Sequence, residues 1–98
     1  MQDDATRYLH VRWHHELPDE PVVILSELVD DQEVRKVEQY ADGRVGWAGP
    51  EGEFGGSALS FGEGAIPSGE EIAADPQFTV LPIDGDGFER EWRAATGA

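Results

Sequence analysis

From Arg7 to Glu16 the side chains alternate in character with a period of two, and that period describes a half-buried β-strand. Leu9, Val11 and Trp13 fall on one side, and Tyr8, His10, Arg12 and His14 on the other. Such a strand needs partners, and the sequence offers them at short intervals. Pro18-Asp19-Glu20-Pro21 ends the run, because two prolines fix φ and withhold backbone donors. Val22 to Leu28 resumes as a second strand rich in β-branched residues. Asp30-Asp31-Gln32 makes a tight connection into a third strand, Glu33 to Tyr40. Asp42-Gly43 is a hairpin signal, and Arg44 to Ala48 returns antiparallel as a fourth strand.

Residues 49–64 hold six of the 12 glycines and carry neither a helical nor a strand period. They read as a glycine-rich loop or a short extra strand, with Phe54, Leu59 and Phe61 as possible anchors. Beyond them Ser68 and Glu71 have the spacing of a capping box, which opens a helix that Asp75-Pro76 ends. Ile72 and Ala73 are its expected inward residues. Phe78 to Ile83 is a short extended segment. A last helix starts at Asp84 or Asp86, places Phe88 and Trp92 on one face, and stops at Gly97. Strands first and helices last predict an α+β domain. The expectation is an antiparallel sheet of four to five strands with two C-terminal helices packed on one face. The 98 residues make one domain, with a core over roughly 7–96.

Charge limits the partners. The chain has 21 acidic residues against seven basic ones, a formal net charge of -14. That field repels phosphate, which argues against free nucleic acid and against an anionic membrane surface. A basic protein surface is its electrostatic complement. A purely solubilising role accounts for the same number. The absence of cysteine excludes disulfides and thiolate chemistry and favours a cytoplasmic setting. Met1-Gln2-Asp3-Asp4 does not read as a signal peptide, and the apolar run Val22 to Leu25 is too short to span a bilayer.

The most metal-like cluster is His14-His15-Glu16, with Asp19 and Glu20 close behind. Adjacent strand residues point to opposite faces, so His14 and His15 do not converge without a bulge, and Arg12 opposes a cation between His10 and His14. No metal site, no cofactor and no catalytic residue is expected, since no nucleophile elbow, phosphate loop or dinucleotide-binding pattern is present. Arg12, Arg35, Lys36 and Arg44 lie on expected strands and read as neutralising acids across the sheet. Trp13, Phe78, Phe88 and Trp92 are expected in the core, whereas Tyr8, Tyr40 and Trp47 suit either an interface or rim packing.

The strings Arg7 to His15, Pro18 to Pro21, Ser26-Glu27-Leu28, Glu33 to Glu38 and Asp42-Gly43-Arg44 resemble a family of short, uncharacterised bacterial proteins. Ile66-Pro67, Glu70-Glu71-Ile72, Asp75-Pro76, Phe78, Phe88 and Trp92 resemble its C-terminal part. The chain departs from the pattern at residues 29–32 and at residues 49–64. The resemblance implies a stand-alone bacterial domain and, by analogy, an immunity protein of a polymorphic toxin system, with no catalytic residues attached.

The resulting expectation is an acidic immunity or inhibitor protein that neutralises a basic toxin, a nuclease among the candidates, by direct binding. Its expected binding residues are Asp19, Glu20, Asp30, Asp31, Glu51, Glu53, Glu70 and Glu71, with Tyr40 and Trp47. Two alternatives remain open at this point: a small metal-dependent hydrolase using His10, His14 and His15, and a regulatory scaffold module.

Overall fold

A computed structural model describes residues 6–57 and 66–97. The elements run β1 (Thr6–Trp13), β2 (Val23–Val29), β3 (Gln32–Gln39), β4 (Val45–Gly49), β5 (Gly52–Phe54), α1 (Gly69–Ala73), β6 (Phe78–Leu81) and α2 (Gly85–Thr96). The strands form one antiparallel sheet in the order β5-β4-β3-β2-β1-β6. The first five strands are a meander of hairpins. The sixth is placed by a return to β1, with His10 opposite Leu81 and Trp13 opposite Phe78.

Local chemistry explains each turn. Asp30 and Asp31 both have positive φ, 50° and 65°, which a two-residue primed hairpin turn requires. Aspartate tolerates this region better than most residues. Arg7 Nε donates to Asp31 Oδ1 at 3.0 Å, and the same guanidinium reaches the carbonyl oxygens of Ile66 and Pro67. One side chain thus ties β1, the β2–β3 turn and the approach to α1. At the other end Arg44 Nε donates to Asp42 Oδ2 at 2.7 Å while the guanidinium donates to Pro18 O at 2.9 Å. That contact joins the β3–β4 hairpin to the proline turn.

Both helices are capped as their sequences dictate. Ser68 Oγ accepts from the Glu71 N–H, and Glu71 Oε1 accepts from the Ser68 N–H, which completes the capping box. Asp84 accepts from the Gly87 N–H, and Gly97 closes α2 in the left-handed region at φ 77°.

The sheet is apolar on both faces, and the two helices lie on opposite sides of it. Val23, Leu25 and Val37 pack under Phe88 of α2, flanked by Tyr8, Val45, Trp47 and Trp92. Leu9, Val11 and Leu28 pack with Ile66, Ile72 of α1, Phe78 and Val80. Tyr8 and Leu9 are neighbours in one strand and belong to different clusters, so the clusters occupy opposite faces. The expectation of both helices on one face is therefore corrected. Its error was to treat the Tyr8 side of β1 as the polar side, whereas Tyr8 packs against Phe88 in a tilted pair with ring centroids 5.6 Å apart. The strand count is corrected from four or five to six. Gly52–Phe54 forms an edge strand inside the expected loop, and Phe78–Leu81 joins the sheet. Leu59, Phe61 and the rest of that loop over 58–65 lie outside the described residues. Ala73, expected inward, is exposed, and Trp13 is half-buried.

Candidate functional site

One β-bulge sets the electrostatics of the sheet. Between β2 and β3 the register shifts, so that Arg35 stands opposite Glu27 and Glu33 opposite Leu28. Arg35 Nε donates to Glu27 Oε1 at 2.5 Å, and its other nitrogens donate to both carboxylate oxygens of Glu89 on α2. The guanidinium also lies over the Phe88 and Trp92 rings, at 5.0 and 5.1 Å from their centroids. These contacts hold Arg35 more firmly protonated than usual, first through the Glu27 hydrogen bond and then through Glu89. The Arg35 hydrogen bond in turn lowers the Glu89 pKa. Arg35 is a clamp between sheet and helix, its charge matched by two carboxylates.

Beside the clamp the core aromatics continue to the edge of the molecule. Phe88 is fully buried and lies 6.3 Å from Trp92. Trp92 meets Trp47 edge-on at 5.6 Å. Trp47 is stacked with Phe54 at 6.4 Å, and Phe54 is 61% exposed. Gly49 makes this row possible, because a Cβ there would come within 2.9 Å of the Trp92 ring. A cleft of about 430 Å³ opens between α2 and the β4–β5 turn, lined by Arg35, Trp47, Pro50, Glu51, Trp92 and Thr96. Phe54 sits on β5, which has β4 on one side and, among the described residues, no strand on the other.

The opposite face carries a polar seam. Across the registers, Ser26 faces Lys36 and Lys36 faces Ala48. Ser26 Oγ donates to Glu33, Lys36 lies 3.6 and 3.7 Å from Glu33 and Glu38, and Ser57 Oγ donates to Glu38 at 2.5 Å. The Lys36 and Glu38 side chains are only 12% and 14% exposed. The seam satisfies itself, each serine hydroxyl donating to a carboxylate that also neighbours Lys36, so the arrangement suits specificity of folding.

The histidines are each engaged separately. His14 Nε2 is 2.7 Å from Thr79 Oγ1. His15 Nδ1 accepts from the Leu17 N–H at 2.9 Å, which leaves Nε2 as the proton-bearing nitrogen that donates to Pro21 O at 2.8 Å. Burial lowers the His10 pKa, with Glu91 opposing and Arg12 adding to the shift. Among the described residues no group of three histidines or carboxylates is placed to hold a metal ion.

The expected binding residues separate into three places. Asp19 and Glu20 lie exposed in the proline turn near Tyr40, which is half-buried and whose pKa is raised, first by burial and then by Glu38. Asp30 and Asp31 form the β2–β3 turn at the other end of the sheet, where Asp31 pairs with Arg7. Glu70 and Glu71 are in the first turn of α1, and Glu71 shares a surface depression with Arg7 and Asp31. Glu51, Glu53 and Trp47 gather at the β4–β5 edge. Of the four basic residues expected to neutralise acids across the sheet, only Arg35 does so between strands. Lys36 pairs within β3, Arg44 pairs with Asp42 two residues away, and Arg12 has no ion pair among the described residues. Sequence reasoning missed Phe54 as a surface residue and Trp92 as a cleft wall. The glycine at 49, two residues after Trp47, was the available sign that something large packs there.

A model of one family, described as a domain of unknown function (DUF6881), matches residues 7–97. The chain belongs to the DUF6881 family. The match spans every element of the DUF6881 fold described above except the first residue of β1. Nothing among the curated proteins or the solved structures matches the chain.

Proposed function

We propose that this DUF6881 domain is an acidic immunity or inhibitor protein that binds a basic toxin domain, a nuclease among the candidates, and blocks it by occupation. One observation carries the reading. Four of the seven basic residues, Arg7, Arg35, Lys36 and Arg44, are committed to ion pairs within the molecule, and the exposed Arg12, Arg90 and Arg93 are outnumbered by exposed acids. Asp19, Glu20, Asp30, Glu51, Glu53 and Glu70 are exposed with no ion-pair partner among the described residues. An outward surplus of one sign accelerates encounter with an oppositely charged protein and disfavours others. The neutral partners of His14 and His15 and the self-satisfied seam leave docking as the activity best served by this surface.

Co-expression with the product of the neighbouring gene tests the reading. The expected result is a stoichiometric complex at low salt and loss of the partner's toxicity. A basic neighbour that stays free of the domain at low salt, and stays toxic, would refute it.

A further inference from the structure

We propose that the β5 edge is the docking site, and that it receives an extended segment of the partner whose side chains alternate between apolar and basic. This inference rests on the docking reading above and locates it. The aromatic row Phe88, Trp92, Trp47, Phe54 passes from complete burial to open solvent and ends on the outermost strand. Aromatic side chains left exposed at an interface supply most of its binding energy. An added strand continues the sheet, because an edge strand presents backbone donors and acceptors without partners.

The register fixes what such a strand must carry. Phe54 pairs with Trp47, on the α2 face, and Glu53 pairs with Ala48, on the opposite face. Successive side chains of an incoming strand therefore meet the aromatic row and Glu53 in turn. Glu51 lines the cleft beside the row, and Arg35, the cation among its described lining residues, is matched by Glu27 and Glu89. Glu51 and Glu53 have no basic partner among the described residues. Charge complementarity thus selects lysine or arginine for the positions facing Glu53, the aromatic row selects apolar side chains for the positions between, and Glu51 beside the row adds attraction for a basic segment. A second copy of this chain is disfavoured at this edge by its charge of -14.

A synthetic eight-residue peptide of alternating valine and lysine is a suitable probe of the intact chain, read by two-dimensional amide NMR. The expected result is movement of the β5 amides and of the Trp47 and Trp92 indole N–H signals. A second peptide, identical but N-methylated at alternate residues, should bind about ten-fold more weakly, because it loses strand pairing and keeps its charge. Phe54→Ala and Glu53→Gln should each weaken the first peptide, while Asp19→Asn with Glu20→Asn should not. Equal binding of both peptides, or shifts confined to the proline turn or to α1, would overturn the edge site. A complex with the basic neighbour that survives Phe54→Ala and Glu53→Gln unchanged would also overturn it, leaving the docking reading standing. Failure of every basic partner to bind would remove both.

Discussion

The two faces of the sheet are built by different means. On the α2 face, a 12-residue capped helix lays Phe88 over Val23, Leu25 and Val37, and Arg35 bolts the helix down through Glu89. On the α1 face, a five-residue helix brings only Ile72 to an aliphatic cluster, and a charged seam occupies the neighbouring strands. The first face is stabilised by large aromatic burial plus a fixed cation. The second depends on the smaller buried side chains Leu9, Val11 and Leu28, covered by several partly buried residues. The difference teaches where surface can be given over to binding. A face anchored by Phe88 and Arg35 tolerates an aromatic row that runs out to solvent at Phe54.

Four substitutions bear on this comparison. Phe88→Ala removes the fully buried aromatic of the described residues and should cost about 3–5 kcal/mol in chemical denaturation. A loss below that of a surface change would break the claim that the α2 face dominates. Arg35→Met should cost about 2–3 kcal/mol, since Glu27 and Glu89 would face each other without their cation. The sign of its pH dependence is fixed. The Glu89 pKa is lowered in the fold, so its contribution is present above the unfolded carboxylate value of about 4.3 and is lost as pH falls through the folded value. Acid titration should therefore destabilise the wild type in that window and spare the Met variant. Ile72→Ala on the other face should cost about 1–2 kcal/mol, because the residue is only half-buried. Phe54→Ala should change stability by less than about 0.5 kcal/mol by the same measurement. A larger effect would mean that Phe54 serves the fold.

Much of this fold is legible in the sequence, for definite reasons. Alternation over Arg7 to Glu16 and the Asp42-Gly43 pair act locally, and local signals give strands and hairpins. The Ser68–Glu71 box is equally local and is present as read. The side of the sheet taken by each helix is not local. It depended on Tyr8, whose hydroxyl marks it as polar while its ring belongs to the Phe88 cluster. The pairing of β6 with β1 joins residues more than 60 positions apart, and no short-range pattern encodes it. The candidate site divides in the same way. Phe88 and Trp92 were visible as a helical pair, and Glu51, Glu53 and Trp47 as surface candidates. Their union with Phe54 and Arg35 needed the bulge in β3 and the fifth strand, and a three-residue strand among glycines has too little period to announce itself.

The central claim is that an outward acid surplus, concentrated for binding at one aromatic edge, docks a basic protein. Its most direct test is the affinity for the basic neighbour across a salt series, for wild type and for Glu51→Gln with Glu53→Gln. The account predicts that affinity falls steeply between about 50 mM and 500 mM salt as screening shortens the reach of the charges. It also predicts a shallower fall in the double variant. Affinity that is indifferent to salt, or a double variant with the wild-type slope, would contradict it.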